Sequence, residues 1–357
     1  MHTFHICLYL VISKTYSVGK KMNILLTGGL GFIGSHTAIE LVTKGYEIVI
    51  VDNLSNSDLN VLNKLNLLFG KSVKFYQSDL RNKEELRKIF LENKFDAVMH
   101  FAGLKAVGES VVNPYSYYDN NVIGSLNLIK IMTEFNCKNI IFSSSATVYG
   151  DPTKLPICED AKLSSTNPYG ETKLVIENFI GSIYKSDKEW NYAILRYFNP
   201  VGGHESYDFG ERPTGIPNNL MPYICQVGAK KLKLLKVFGN DYETMDGTGV
   251  RDYIHVVDLA LGHVSALEFM THNSIPVCVN LGTGKGYSVL EMIKTFETVN
   301  NVEIPYTISE RRKGDIASCY ASTDLAKEVL GWKAKFNLED MCRDSWKSQL
   351  KINDSNP

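Results

Sequence analysis

No charge of either sign dominates this chain. Its 357 residues carry 38 Lys and Arg against 39 Asp and Glu, a formal net charge of −1. Without a basic excess or a block of like charge, nucleic acid is a poor candidate partner. No hydrophobic run is long enough to span a bilayer. Phe4 to Ile12 is apolar but short, and Lys14, Lys20 and Lys21 follow it rather than precede it, the wrong order for a secretory signal. Seven cysteines are scattered without metal-ligand spacing, and an odd number suits a disulfide framework poorly. A reducing, cytoplasmic location is expected, with no metal and no membrane partner. Internal repeats and low-complexity tracts are also missing. The length allows one large domain or two of ordinary size.

What is present begins at Met22. Residues 1–21 read as a disordered extension, or as an over-long start before the real Met22, with a weak targeting segment as the alternative. Ile24 to Leu26 form a short apolar run, as in a buried parallel strand. Gly28, Gly31 and Gly34 follow at three-residue spacing. A side chain at the first would crowd a tight turn. One at the second would block a pyrophosphate, and one at the third would hold the next helix off the sheet. A diphosphate would sit at the helix amino end, where backbone N–H groups point outward. A second apolar strand, Glu47 to Val51, ends at Asp52, where an acid would meet an adenosine ribose. Three glycines could also form a turn that binds nothing.

The alternation continues, with strands at Val73–Tyr76, Ala97–His100, Ile140–Phe142 and Tyr192–Leu195. Helices lie between them, including one over Leu59–Leu68, one over Glu84–Glu92 and a long one after Pro114. This is the rhythm of a Rossmann-type doubly wound parallel sheet. The loops past the strand ends, among them Asp79, Phe101 to Lys105 and Ser143 to Ser145, are the places for ligand contacts. After Pro200, glycine and proline mark a long irregular stretch. Helices are expected over Val256–Met270 and Val289–Val299 and from Thr323, which with Asp324 makes a good cap. The division expected is a dinucleotide-binding domain over 22–199, a smaller mixed α/β substrate domain over 200–349 with elements crossing back, and a tail over 350–357.

Tyr169 and Lys173 are four apart in an expected helix, on one face. A tyrosine hydroxyl is a poor base, with a pKa of about 10. A lysine ammonium and a nicotinamide cation beside it would favour the phenolate, which could take a proton from an alcohol as hydride leaves the same carbon. Alone, the pair is common. Ser145, at the end of an apolar strand, offers a hydroxyl to hold the substrate and share its proton with Tyr169. Lys105 could meet a ribose or a nicotinamide amide. Arg251 and Arg312, with Asp315, could face a diphosphate, which a guanidinium fork matches. His100 and His255 read as structural. Cys319 has no base beside it and reads as a small wall or core residue.

Longer blocks carry more. They are Thr27-Gly28-Gly29-Leu30-Gly31-Phe32-Ile33-Gly34-Ser35-His36, His100 to Ser110, Tyr117 to Asn121, Ser143 to Gly150, Arg196 to Gly202 and Gly247 to His255. Over Met22 to about Gln349 the sequence resembles the epimerase branch of the extended short-chain dehydrogenase/reductase family. The resemblance implies an NAD enzyme that inverts C4 of UDP-glucose and UDP-galactose. Hydride leaves C4, the 4-keto sugar turns over in the pocket, and hydride returns to the other face. Tyr169 would be the base, Lys173 its support and ribose contact, and Ser145 the hydroxyl partner. NAD would be met by Gly28, Gly31, Phe32, Ile33, Gly34, Asp52, Asn53, Asp79, Leu80, Phe101, Ala102, Gly103, Lys105, Asn120, Lys173 and Tyr197. The UDP-sugar would meet Lys105, Ser145, Tyr169, Phe198, Asn199, Asn219, Leu220, Arg251, Arg312, Asp315 and Cys319.

The family is typically a homodimer joined by helices of the first domain. A bulky tyrosine at the position of Cys319 restricts members to the plain sugars. A cysteine there implies room for UDP-GlcNAc and UDP-GalNAc as well. Two other readings stay open: a 4,6-dehydratase or decarboxylase on a nucleotide sugar, and a non-catalytic NAD-binding protein. The first needs an acidic pair where this chain has Ala146 and Thr147. The second is disfavoured by the intact Tyr169–Lys173 pair.

Overall fold

The computed structural model describes residues 21–354 except 207, 214 and 313. The reading of the first 21 residues as an extension therefore lies outside the described residues, Lys21 apart. In chain order the first half runs β1 (Asn23–Thr27), α1 (Phe32–Thr43), β2 (Glu47–Asp52), α2 (Leu59–Phe69), β3 (Lys74–Gln77), α3 (Lys83–Glu92) and β4 (Ala97–His100). It continues with α4 (Val107–Val112), α5 (Pro114–Tyr117), a π-helical turn over Tyr118–Ile123, α6 (Gly124–Glu134), β5 (Asn139–Ser145), a 3₁₀ turn over Ala146–Tyr149, α7 (Pro168–Ser186) and β6 (Asn191–Tyr197).

The second half has β7 (Asn199–Val201), α8 (Leu220–Gly228), β8 (Leu235–Phe238), β9 (Val250–Arg251), β10 (Tyr253–His255), α9 (Val256–Asn273) and β11 (Val277–Leu281). Then come β12 (Tyr287–Ser288), α10 (Val289–Asn300), β13 (Tyr306–Ser309), β14 (Ser318–Cys319), α11 (Asp324–Leu330) and α12 (Leu338–Asp354).

Seven strands form one parallel sheet in the order β11-β6-β5-β4-β1-β2-β3. Ile24, Leu25 and Leu26 are fully buried because helices cover both faces, so the strand reads as an unbroken apolar run. On one face Leu26, Ile50 and Met99 pack with Ala38, Leu41, Leu259 and Leu267 of α1 and α9. On the other, Leu25, Val98 and Ile140 pack with Leu86, Leu128 and Ile176 of α3, α6 and α7. A separate apolar cluster, with Ile224, Phe296 and Met341, joins α8, α10 and α12. The chain from β1 winds outward through β2 and β3, then returns to place β4 on the other side of β1. That reversal opens a crevice past the carboxyl ends of β1 and β4. The second half returns β11 to the edge of the sheet and lays α9 against α1.

Three elements differ from the sequence reading. The long helix after Pro114 is broken by the π turn, from which Asn121 bonds to the loop at Leu104 while Asn120 donates to the Asn121 side-chain oxygen. Thr323 precedes α11, yet its side chain makes no capping bond. Helix α12 was not anticipated. Its apolar residues Leu338, Met341 and Cys342 recur at helical spacing, but charged neighbours such as Glu339, Asp340 and Arg343 mask them.

Candidate active site

Gly28 leaves β1 with φ +68°, and a Cβ there would stand 2.7 Å from the backbone nitrogen of Ala102. Only hydrogen fits between the ends of β1 and β4. At Gly34 a Cβ would meet the Gly28 carbonyl oxygen at 2.4 Å, so α1 and the loop close tightly. Asp52 fastens this loop from β2. One carboxylate oxygen accepts from the Leu30 N–H at 3.1 Å, and the other accepts from the Leu54 N–H and the Ser57 hydroxyl. Asp79 is held by Arg81 and Asn53, and the Arg81 guanidinium keeps its carboxyl well below the usual range.

These residues open onto a cavity of about 740 Å³. Its wall includes Gly28, Gly31, Phe32, Ile33, Gly34, Asp52, Asn53, Asp79, Leu80, Phe101, Ala102, Gly103, Lys105, Asn120 and Asn219. The loop over Phe101–Lys105 is clamped by Asn121, whose amide accepts from the Leu104 N–H at 2.8 Å and donates to its carbonyl at 3.0 Å. The sequence reading assigns a contact to Asn120 and none to Asn121 beside it. The π turn is what brings Asn121 to that loop.

At the end of β5, Ser145 caps the following turn. Its oxygen accepts from the Thr147 N–H at 3.2 Å and lies 3.0 Å from the Thr147 hydroxyl, which donates to it. With both lone pairs engaged, the Ser145 proton is free to be donated elsewhere. Thr147 is thus a missed contributor, and the Ser-x-Thr spacing before a turn was its only signal. Helix α7 starts with Asn167 as its cap and Pro168 in its first turn, which places Tyr169 in the first turn and Lys173 one turn on. Burial raises the Tyr169 pKa, while the Ser145 hydroxyl and the Lys105 charge oppose that rise. The Tyr117 ring stands edge-on to Tyr169, 6.5 Å between centroids, with its own hydroxyl bound to the Ala106 carbonyl and Glu109.

Lys173 donates to the Ser143 carbonyl at 2.6 Å, and its ammonium lies 5.9 Å from the Tyr169 ring centre. Burial pulls its pKa down to about 8, against the pull of Glu177. Glu177 also binds Arg196 at 2.7 Å and accepts from Ser144, a buried network under the site. His100 is fully engaged between the Thr27 and Ser125 hydroxyls, each at 2.7 Å, and burial holds its pKa down near 3.

The other anticipated residues sit farther along. Tyr197 is buried and its hydroxyl is bound to His263 of α9. Phe198 packs with Ala146 and Tyr149, and Cys319 packs against the same cluster. Asn199 is exposed at the start of β7, and Asn219 and Leu220 begin α8. Arg251 pairs in register with Cys319 across β9 and β14. Arg312 binds Asp315 at 2.9 Å and lies over the Phe238 ring. Both arginines act on the Tyr253 phenol, so their charges share one neighbourhood.

Comparison with known proteins decides among the open readings. Residues 25–345 match the family model described as GDP-mannose 4,6 dehydratase. The UDP-glucose 4-epimerase of Bacillus subtilis (strain 168) is 56% identical over 328 residues, which cover 92% of this chain and 97% of that protein. The chain belongs to the UDP-glucose 4-epimerase family. Among solved structures, the UDP-glucose 4-epimerase from Bifidobacterium longum in complex with NAD+ and UDP is 50% identical with a TM-score of 0.90, covering 93% of this chain and 99% of that one. The UDP-glucose-4-epimerase from Stenotrophomonas maltophila, with bound NAD and formylated UDP-arabinopyranose, is 47% identical with a TM-score of 0.91, over 94% and 99%. Membership in the epimerase family fits Ala146 and Thr147, where a dehydratase needs acids.

Proposed function

We propose that this epimerase interconverts UDP-glucose and UDP-galactose, in galactose metabolism, with NAD held in the 740 Å³ cavity and Tyr169 as the base. The carrying observation is that α7 sets Tyr169 one turn before Lys173, whose ammonium lies 5.9 Å from the Tyr169 ring centre and is bound to the Ser143 carbonyl of the strand that ends at Ser145. NAD fits the cavity: Gly28 and Gly34 draw loop and helix tight, Gly31 lines the wall, and the amino end of α1 faces it. Bound NAD supplies the hydride acceptor and donor. Gly28, Gly31, Phe32, Ile33, Gly34, Asp52, Asn53, Asp79, Leu80, Phe101, Ala102, Gly103, Lys105, Asn120, Lys173 and Tyr197 would hold it. Tyr169 takes the proton of the sugar 4-hydroxyl and later returns one to the inverted oxygen, while Ser145 donates to that oxygen and orients it. Lys173 holds the floor through the Ser143 carbonyl. Phe198, Asn199, Asn219, Leu220, Arg251, Arg312 and Asp315 would position the UDP-sugar. The two arginines would supply charge for its diphosphate.

The reading extends to UDP-GlcNAc and UDP-GalNAc, because Cys319 is small where a larger side chain would fill the sugar end. It extends to a homodimer as well. Val111, Val112 and Tyr115 on α4 and α5 are 57%, 86% and 79% exposed, an apolar face that a second copy would cover. Cytoplasmic residence is supported by the free state of Cys137, Cys158, Cys225, Cys278, Cys319 and Cys342. Among the described residues no helix is long and apolar enough to cross a membrane. In this account residues 22–199 bind NAD and 200–349 bind the sugar nucleotide. Chromatography of UDP-galactose after incubation with the purified protein tests it. UDP-glucose is expected; a 4-keto, 6-deoxy sugar or no turnover with NAD bound overturns it.

A further inference from the structure

Glu211 stands in the irregular stretch between β7 and α8, well away in sequence from Tyr169 and Lys105. Its carboxylate nonetheless binds the Lys105 ammonium at 2.7 Å and accepts from the Asn219 side-chain amide at 2.9 Å, both through the same oxygen. Its side chain is only 12% exposed, whereas that of Lys105 is 47% exposed on the cleft side. Lys105 follows β4 in the sheet half of the molecule, and Asn219 opens α8 in the other half. One acid therefore ties the two sides of the cleft together.

We infer that Glu211 is a positioning residue: it spans the cleft, fixes Lys105 against Asn219, and sets how much of the Lys105 charge reaches Tyr169. The inference rests on Tyr169 being the base. The ammonium faces two partners, the Glu211 carboxylate and the Tyr169 phenol. What it gives to the first it withholds from the second, because a neutralised ion pair projects a weaker field. Tyr169 itself is faced by Ser145, Lys105, the Lys173 ammonium over its ring, and the Tyr117 and Tyr197 phenols. Of the two ammonium groups, Lys105 is hydrogen-bonded to a carboxylate and Lys173 to a backbone carbonyl. Glu211 is thus placed to adjust the base without touching it.

The test uses the NAD-loaded enzyme and two readouts, the acid limb of kcat against pH and the tyrosinate absorbance titrated against a Tyr169→Phe reference. Glu211→Gln keeps the shape and removes the charge, so the Tyr169 midpoint and the kcat limb should both move to lower pH. Glu211→Asp restores the charge and should return them toward wild type. Lys105→Met should move both to higher pH, and it keeps the test alive if the glutamine variant fails to fold. An unchanged midpoint in Glu211→Gln and Lys105→Met, with any loss confined to KM or thermal stability, overturns the inference while leaving the base intact. An acid limb that persists in Tyr169→Phe overturns the base assignment and the inference with it.

Discussion

The Lys173 ammonium is hydrogen-bonded to the Ser143 carbonyl at 2.6 Å, so α7 is pinned to β5 through a charge rather than through packing alone. The contact fixes the distance between the helix that carries Tyr169 and the strand that ends at Ser145. It also explains why the lysine is buried despite its cost: the ammonium is needed where water is excluded.

That cost gives a pH signature. The folded-state pKa of Lys173 is depressed to about 8 by burial, while the unfolded chain keeps the ordinary lysine value of 10.5. Between these values the unfolded state binds more protons, so wild-type stability rises with pH. It is fully recovered above the unfolded value and lost as pH falls through about 8. Comparing the Tm of wild type and Lys173→Met across this window should show the wild type gaining on the variant as pH rises. Parallel curves would mean that the lysine is not strained by burial. Turnover of the variant should fall at every pH.

The buried network beneath the site should be costly to break on one side. Arg196 and Glu177 are 6% and 5% exposed and paired at 2.7 Å. Arg196→Met removes the guanidinium paired with buried Glu177, leaving it the Ser144 hydroxyl and the more distant Lys173 charge, and should lower stability by about 3–5 kcal/mol in denaturant unfolding. Replacing both by apolar residues should recover part of that. A loss under about 1 kcal/mol for the single variant, the scale of a surface pair, would show that Glu177 finds other partners.

Cys319→Tyr should suppress conversion of UDP-GlcNAc and UDP-GalNAc while sparing the plain sugars, since exclusion by bulk acts only on the larger ligand. The measurement is kcat/KM for both sugar pairs in both proteins. Wild type inactive on the acetylated pair, or equal losses on both pairs in the variant, would remove Cys319 as the size gate.

Much of this was legible in the sequence because the relevant signals are local. The run Ile24–Leu26, the glycine spacing and Tyr169 with Lys173 each declare themselves within a few residues. Asn121, Thr147 and Glu211 do not. Asn121 reaches its loop only because a π turn changes the helical phase. Thr147 matters through the lone pairs of Ser145, and the Ser-x-Thr spacing alone does not say which group donates. Glu211 meets Lys105 from 106 positions away, a contact made only when the two halves close on the cleft. Helix α12 stayed hidden because its apolar face is interrupted by charge.

The most direct test of the account is the turnover of Tyr169→Phe on UDP-galactose, measured with its bound NAD content. The ring packing is kept and only the hydroxyl is lost. Turnover should fall at least about a hundredfold, the scale of a positioned acid–base group, while NAD still co-purifies. Near-normal turnover by an NAD-loaded Tyr169→Phe protein would contradict the central claim.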